Sequence, residues 1–139
     1  MMKIAAKLGA LLLTLTFVVA CSSTPTWEGM SQTEIAEWKE LGITVADAQT
    51  LSAAGVTPQL ADQWQEAGVK TVDRILAWQK AGFNPDSART WIAQGIDLDT
   101  ASAWAAKEFS AEEARAWSEA GFSLIQAVDN RNKGLTPIQ

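Results

Sequence analysis

An all-α tandem array of seven or eight short helices, one per unit of about thirteen residues, is the fold class that this sequence predicts. Three observations predict it. Glycines stand at 29, 42, 55, 68, 82, 95, 121 and 134, and Glu108 fills the one missing place, so that every step is 13 residues except the 14 from Gly68 to Gly82. A residue with a short polar side chain follows two places after most of these glycines. A Trp recurs at a fixed place in the units. Self-similarity at a fixed short period is the mark of a repeat architecture.

Each unit is numbered from its Gly as position one. Position two is apolar throughout: Met30, Ile43, Val56, Val69, Phe83, Ile96, Phe109, Phe122 and Leu135. Position three carries Ser31, Thr44, Thr57, Asn84, Asp97, Ser110, Ser123 and Thr136, with Lys70 the exception. These side-chain oxygens suit an N-cap, where they accept an amide that has no partner within the helix. Pro58, Pro85 and Pro137 at position four fit the first helical residue, whose N–H is unpaired in any case. Ser31/Glu34, Ser110/Glu113 and Ser123/Gln126 have capping-box spacing.

Position seven is small or apolar: Ile35, Ala48, Ala61, Ala88, Ala101, Ala114 and Ala127. Position ten is Trp38, Leu51, Trp64, Trp91, Trp104 and Trp117, with Trp78 one place late in the longer unit. A helix of about ten residues, roughly 15 Å, therefore runs from position four to thirteen. The next Gly supplies the left-handed residue of a Schellman ending, in which the residue after the Gly packs on the third residue from the helix end. The pairs expected are Trp38–Ile43, Trp64–Val69, Trp78–Phe83, Trp91–Ile96, Trp104–Phe109 and Trp117–Phe122, with Leu51–Val56 the smaller version. Phe83 is further expected to reach Ala88 of the following helix. Helices this short are marginal alone in water and gain their stability from neighbours. One helix per unit also leaves room for a 26-residue superunit. Repeated Gly and internal Pro oppose a continuous helix.

Two irregularities stand out. Glu108 in a left-handed corner is strained, which predicts a differently formed turn there. The last full unit has Asn130 in place of Trp, as expected of a polar capping unit.

The first twenty residues are of another kind. Lys3 and Lys7 precede the apolar run Leu8–Ala20, which is too short to span about 30 Å of hydrocarbon but suits a signal-peptide core. Val18-Val19-Ala20-Cys21 resembles the lipobox of bacterial lipoproteins. The resemblance covers residues 1–21. It implies cleavage between Ala20 and Cys21, lipidation of the Cys21 sulfur, acylation of the new amine, and a lipid membrane as partner. Several acyl chains anchor a protein stably where one does not. Ser22 rather than Asp after the Cys resembles cargo bound for the outer membrane in a two-membrane cell. The expected divisions are a signal peptide at 1–20, a lipidated Cys and tether at 21–28, and a repeat domain at 29–139. From Cys21 onward, nine Lys+Arg stand against sixteen Asp+Glu, so no polybasic patch is expected to hold the domain to anionic lipid.

Composition narrows the chemistry. There is no His and a single Cys, which removes the commonest general base, an intrachain disulfide and a thiolate metal cluster. The acidic balance argues against a nucleic-acid partner. Asp97/Asp99, Glu112/Glu113 and Glu34/Glu37/Glu40 fall near helix starts or on solvent faces, where carboxylates favour the helix dipole. No catalytic residue, metal ligand or cofactor is assigned.

The leading functional expectation is a membrane-anchored envelope lipoprotein with a non-catalytic structural or protein-interaction role. The alternative is a module binding a glycan or apolar ligand in a groove lined by Trp27, Trp64, Trp91 and Trp117. A third reading is an envelope hydrolase using carboxylates. Trp27, off the lattice, has three possible places: a linker, a cover over the first helix, or a membrane-interface contact.

Overall fold

The computed structural model describes residues 24–137. Among them are eight α-helices and no strand. They are α1 Gln32–Glu40, α2 Val45–Ala53, α3 Pro58–Glu66, α4 Val72–Lys80, α5 Pro85–Ala93, α6 Leu98–Ala105, α7 Ala111–Glu119 and α8 Leu124–Asn132. All have nine residues except α6, which has eight. Apart from α6, which ends at position eleven with Ala106 as its C-cap, and α4, displaced one place by the extra residue of its unit, they run from position four to twelve, one residue short of expectation, because position thirteen is the C-cap, as at Leu41 and Ala67.

The caps account for the starts. Ser31, Thr44, Thr57, Asn84, Asp97, Ser110 and Ser123 each accept the amide three residues on. The three expected capping boxes form, and Asn84/Ser87 makes a fourth. The Lys70 exception resolves as an insertion. The extra residue of the fourteen-residue unit lies in the corner, Thr71 becomes the N-cap of α4, and its side chain makes no capping bond.

Every corner closes the same way. The amide at position two donates to the carbonyl at position ten: Ile43 to Trp38 (3.0 Å), Val56 to Leu51 (2.9 Å), Val69 to Trp64 (2.9 Å), Phe83 to Trp78 (3.1 Å), Ile96 to Trp91 (3.0 Å), Phe109 to Trp104 (3.2 Å), Phe122 to Trp117 (2.9 Å) and Leu135 to Asn130 (3.0 Å). This is the long bond of the Schellman motif, and the Gly amide supplies the short one. The rings meet as expected, edge to face, at 5.0 Å for Trp78–Phe83 and Trp104–Phe109 and 5.3 Å for Trp117–Phe122. Phe83 also meets Trp91 edge to face at 6.4 Å, so its aromatic contact ahead is an indole one turn beyond Ala88.

The Glu108 corner is a correction. It has the same two hydrogen bonds as the glycine corners, and Glu108 itself adopts φ +60°. The turn is not remade; the side chain is carried in the left-handed conformation, at a backbone cost of about 1–2 kcal/mol.

Positions seven and ten lie on one helix face, three residues apart. Ile35, Ala48, Ala61, Ile75, Ala88, Ala101, Ala114 and Ala127 are all buried at position seven, with Ile75 brought into line once the insertion is counted. Trp38, Leu51, Trp64, Trp78, Trp91, Trp104 and Trp117 are buried at position ten. The small residue admits the neighbouring helix and the indole fills the space between.

Stacking follows a two-unit period through the first five helices, where α1 packs on α3, α2 on α4 and α3 on α5. This is the 26-residue superunit. The last three pack in succession, α6 on α7 and α7 on α8.

A second tie repeats along the array. A long polar side chain caps backbone carbonyls near the end of the element two before its own. Gln65 of α3 donates to Leu41 O (3.3 Å), Gln79 of α4 to Ala54 O (3.2 Å), and Arg115 of α7 to Gln94 O (2.8 Å). Arg131 of α8 reaches Lys107 O (2.5 Å) and Glu108 O (3.1 Å). These bonds satisfy carbonyls near the ends of helices, where partners within the helix are lacking.

Candidate functional site

Cys21 and Ala20, the expected lipidation and cleavage residues, lie outside the described residues. The expected tether is described from Thr24 onward, and its end is docked. Gln49 Nε2 of α2 donates to Thr26 O (2.5 Å). Met30 N donates to Trp27 O (3.2 Å) across a turn that carries Gly29 at φ +84°. Trp27 is half-buried against the core, with Lys39 Nζ 5.7 Å from its ring centroid. It is therefore a cover for the start of the array, and the contacts of the array begin at Thr26.

The other three tryptophans considered for a groove are interior. Trp64 is 1% exposed, Trp91 5% and Trp117 3%. They sit in three different helices and present no open ring face, so the groove expectation is not met at these positions. The reason is physical: position ten is both the anchor of the corner and the filling between helices. Trp117 alone adds an edge to a shallow cleft, shared with Ala120, Phe122, Asn130, Leu135 and Thr136.

The carboxylates serve as caps and surface charges. The backbone N–H of Ser31 donates to Glu34 (2.8 Å), and this bond together with the Ser31 hydroxyl holds the Glu34 carboxyl below its ordinary range. The Asp97 carboxyl is lowered in the same way, by the backbone N–H of Thr100 at 2.8 Å. Both side chains are solvent-exposed. Three ion pairs, Arg89–Glu66, Arg115–Glu119 and Lys133–Asp129, lie on the surface. Among the described residues, no three side chains of the His, Cys, Asp and Glu types converge on a metal-sized site.

What the surface does offer is at the C-terminal unit. Position five faces solvent in every helix, and its residues are Thr33, Ala46, Gln59, Asp73, Asp86, Asp99, Glu112 and Ile125. Ile125 is the one large apolar side chain in that series, and it is 82% exposed. Leu135, at the following corner, is 54% exposed. The polar cap expected of this unit is thus only half realised: Asn130 replaces the indole, but the same unit carries exposed Ile125, and exposed Leu135 follows it at the next corner. Sequence reasoning passed over Ile125, although the signal was there in the polar residues, and one Ala, that fill position five elsewhere.

No family model, curated protein or solved structure matches this chain. Among the described residues no helix is long and apolar enough to cross a membrane.

Proposed function

We propose that this chain is a lipid-anchored protein of the cell envelope whose helical array is a non-catalytic interaction module. The observation that carries the reading is the division of apolar side chains. The indoles of the lattice are spent on the core, the helix faces turned to solvent carry polar residues and alanines, and large apolar exposure falls on Ile125 of the last helix and Leu135 at the corner after it. Contiguous apolar patches, not single scattered residues, mark contact sites, and Ile125 and Leu135 are taken together as the apolar centre of such a patch. The anchor rests on Lys3, Lys7, the apolar run and Val18-Val19-Ala20-Cys21. Acylated Cys21 would hold the protein to lipid, and the acidic array would stand off an anionic surface.

The two halves of the proposal are tested separately. Intact mass of the protein extracted from membranes should show a chain beginning at Cys21 with diacylglyceryl and acyl additions. An unmodified thiol there would defeat the anchor. A photo-crosslinker at position 125 should capture an envelope protein in intact cells, whereas the same probe at position 33, the equivalent place in α1, should not. Equal labelling from both sites would defeat the interaction surface.

A further inference from the structure

We propose that α8 is a latch that opens as one unit with the α6–α7 corner, and that Arg131 holds it shut. The inference is independent of the lipid anchor and of any partner.

Helix α8 is the most weakly held of the eight. It buries one side chain, Ala127, whereas every other helix buries two or three. Asn130 stands where the others carry Trp or Leu. Among the described residues, the side-chain hydrogen bonds that leave α8 for another element both come from Arg131.

Those bonds end on the corner that, among the described residues, turns on a non-glycine residue in the left-handed region. Arg131 donates from Nη1 to Glu108 O and from Nη2 to Lys107 O, and its guanidinium carbon lies 3.8 Å from the centroid of the Phe109 ring. A planar guanidinium satisfies two successive carbonyls and stacks on an aromatic face at once, which a lysine does not. Beneath it, Glu108 is the non-glycine residue with positive φ, and Phe109 is 3% exposed. When α8 lifts, two carbonyls lose their donors, the Phe109 ring loses its cover, and Glu108 loses the contact that offsets its strain. The corner therefore loosens in the same event. In a tandem array the end unit is the one able to open without the rest. Simple fraying of a terminal helix, by contrast, would leave the Lys107–Phe109 corner intact.

Residue-resolved hydrogen exchange on the full chain in detergent micelles separates these cases. The amides of α8 and those of Glu108 and Phe109 should share one opening rate, faster than the amides of α3 and α4. The matched control is the Gly95–Ile96 corner, which has the same backbone hydrogen bonds but whose arginine, Arg115, comes from α7 and not from α8. Arg131→Gln should speed exchange in α8 and at 108–109 together, by about tenfold or more, since it removes charge-assisted bonds. Arg131→Lys should fall between. Glu108→Gly in the Arg131→Gln background should restore protection at the corner and leave α8 open. Three results would each overturn the proposal: fast α8 exchange with a protected corner, no response to Arg131→Gln, or loss of protection throughout α2–α5 in that variant.

Discussion

The first five helices and the last three use one sequence rule with different outcomes. From α1 to α5 the helices stack two units apart, and the corners turn on glycine. From α6 to α8 the closest packing is in succession, although Arg115 and Arg131 still tie α7 to the end of α5 and α8 to the end of α6; one corner turns on Glu108, and the last helix has no indole. The Schellman bonds are the same in both regions, and so are the side-chain caps apart from the one that Thr71 lacks at α4. Local hydrogen bonding therefore makes the helix and its corner, while the size of the side chain at position ten decides how firmly a helix is held to the array.

Breaking the strong region should have the largest effect. Trp64→Ala removes a buried indole from α3, and a loss of about 3–5 kcal/mol is expected, read from the urea midpoint of a cooperative transition. Asn130→Ala, at the same place in α8, should cost less than about 1 kcal/mol. Equal losses would mean that position ten is not what separates the regions.

The corners give the next effect, with opposite signs in the two regions. Gly55 has φ +77° and open space where a Cβ would stand, so Gly55→Ala should destabilise by about 1 kcal/mol through backbone strain alone. Glu108→Gly relieves the same strain and should stabilise by up to about 1 kcal/mol, set against the extra chain entropy of glycine. Thermal midpoints of the two variants check both signs.

Caps should matter about equally everywhere. Ser31→Ala and Ser110→Ala each remove a capping-box hydroxyl and should each cost about 1 kcal/mol. The pH response follows from the same hydrogen bonds. Glu34 and Asp97 have lowered folded-state pKa values, so the stability they contribute is full above the ordinary carboxylate range, near pH 4, and declines as pH falls through the folded values. Acid titration of stability in Glu34→Gln should show a shallower decline than in the parent chain. Ile125→Asn should have the smallest effect, within about 0.5 kcal/mol, because its side chain already faces water. A larger loss would mean that Ile125 supports the fold rather than a contact surface.

The fold was largely legible because its instructions are local. Ser31 with Glu34 announces a helix start, and Gly42 followed by Ile43 announces its end. Each signal works through hydrogen bonds within a few residues. Ile75 was hidden by the insertion at Lys70-Thr71, which shifts its unit by one place. Ser87 was missed because a serine at that place completes a box less often than Glu or Gln. The candidate site was less legible. The Trp spacing suggested a ligand groove as well as a core, and only burial distinguishes them, since a ring that closes a corner and a ring that lines a groove can share one spacing.

What the sequence determined by itself is the one-dimensional order: where each helix begins, where it ends, which residue turns the corner and which pair closes it. Tertiary structure decided which helix lies on which. Gln65 finds Leu41, and Arg131 finds Lys107 and Glu108, across some two dozen residues. A thirteen-residue period fixes the phase of every helix but leaves the angle between successive helices open. That angle comes from side chains packing against surfaces that exist only once the array has formed.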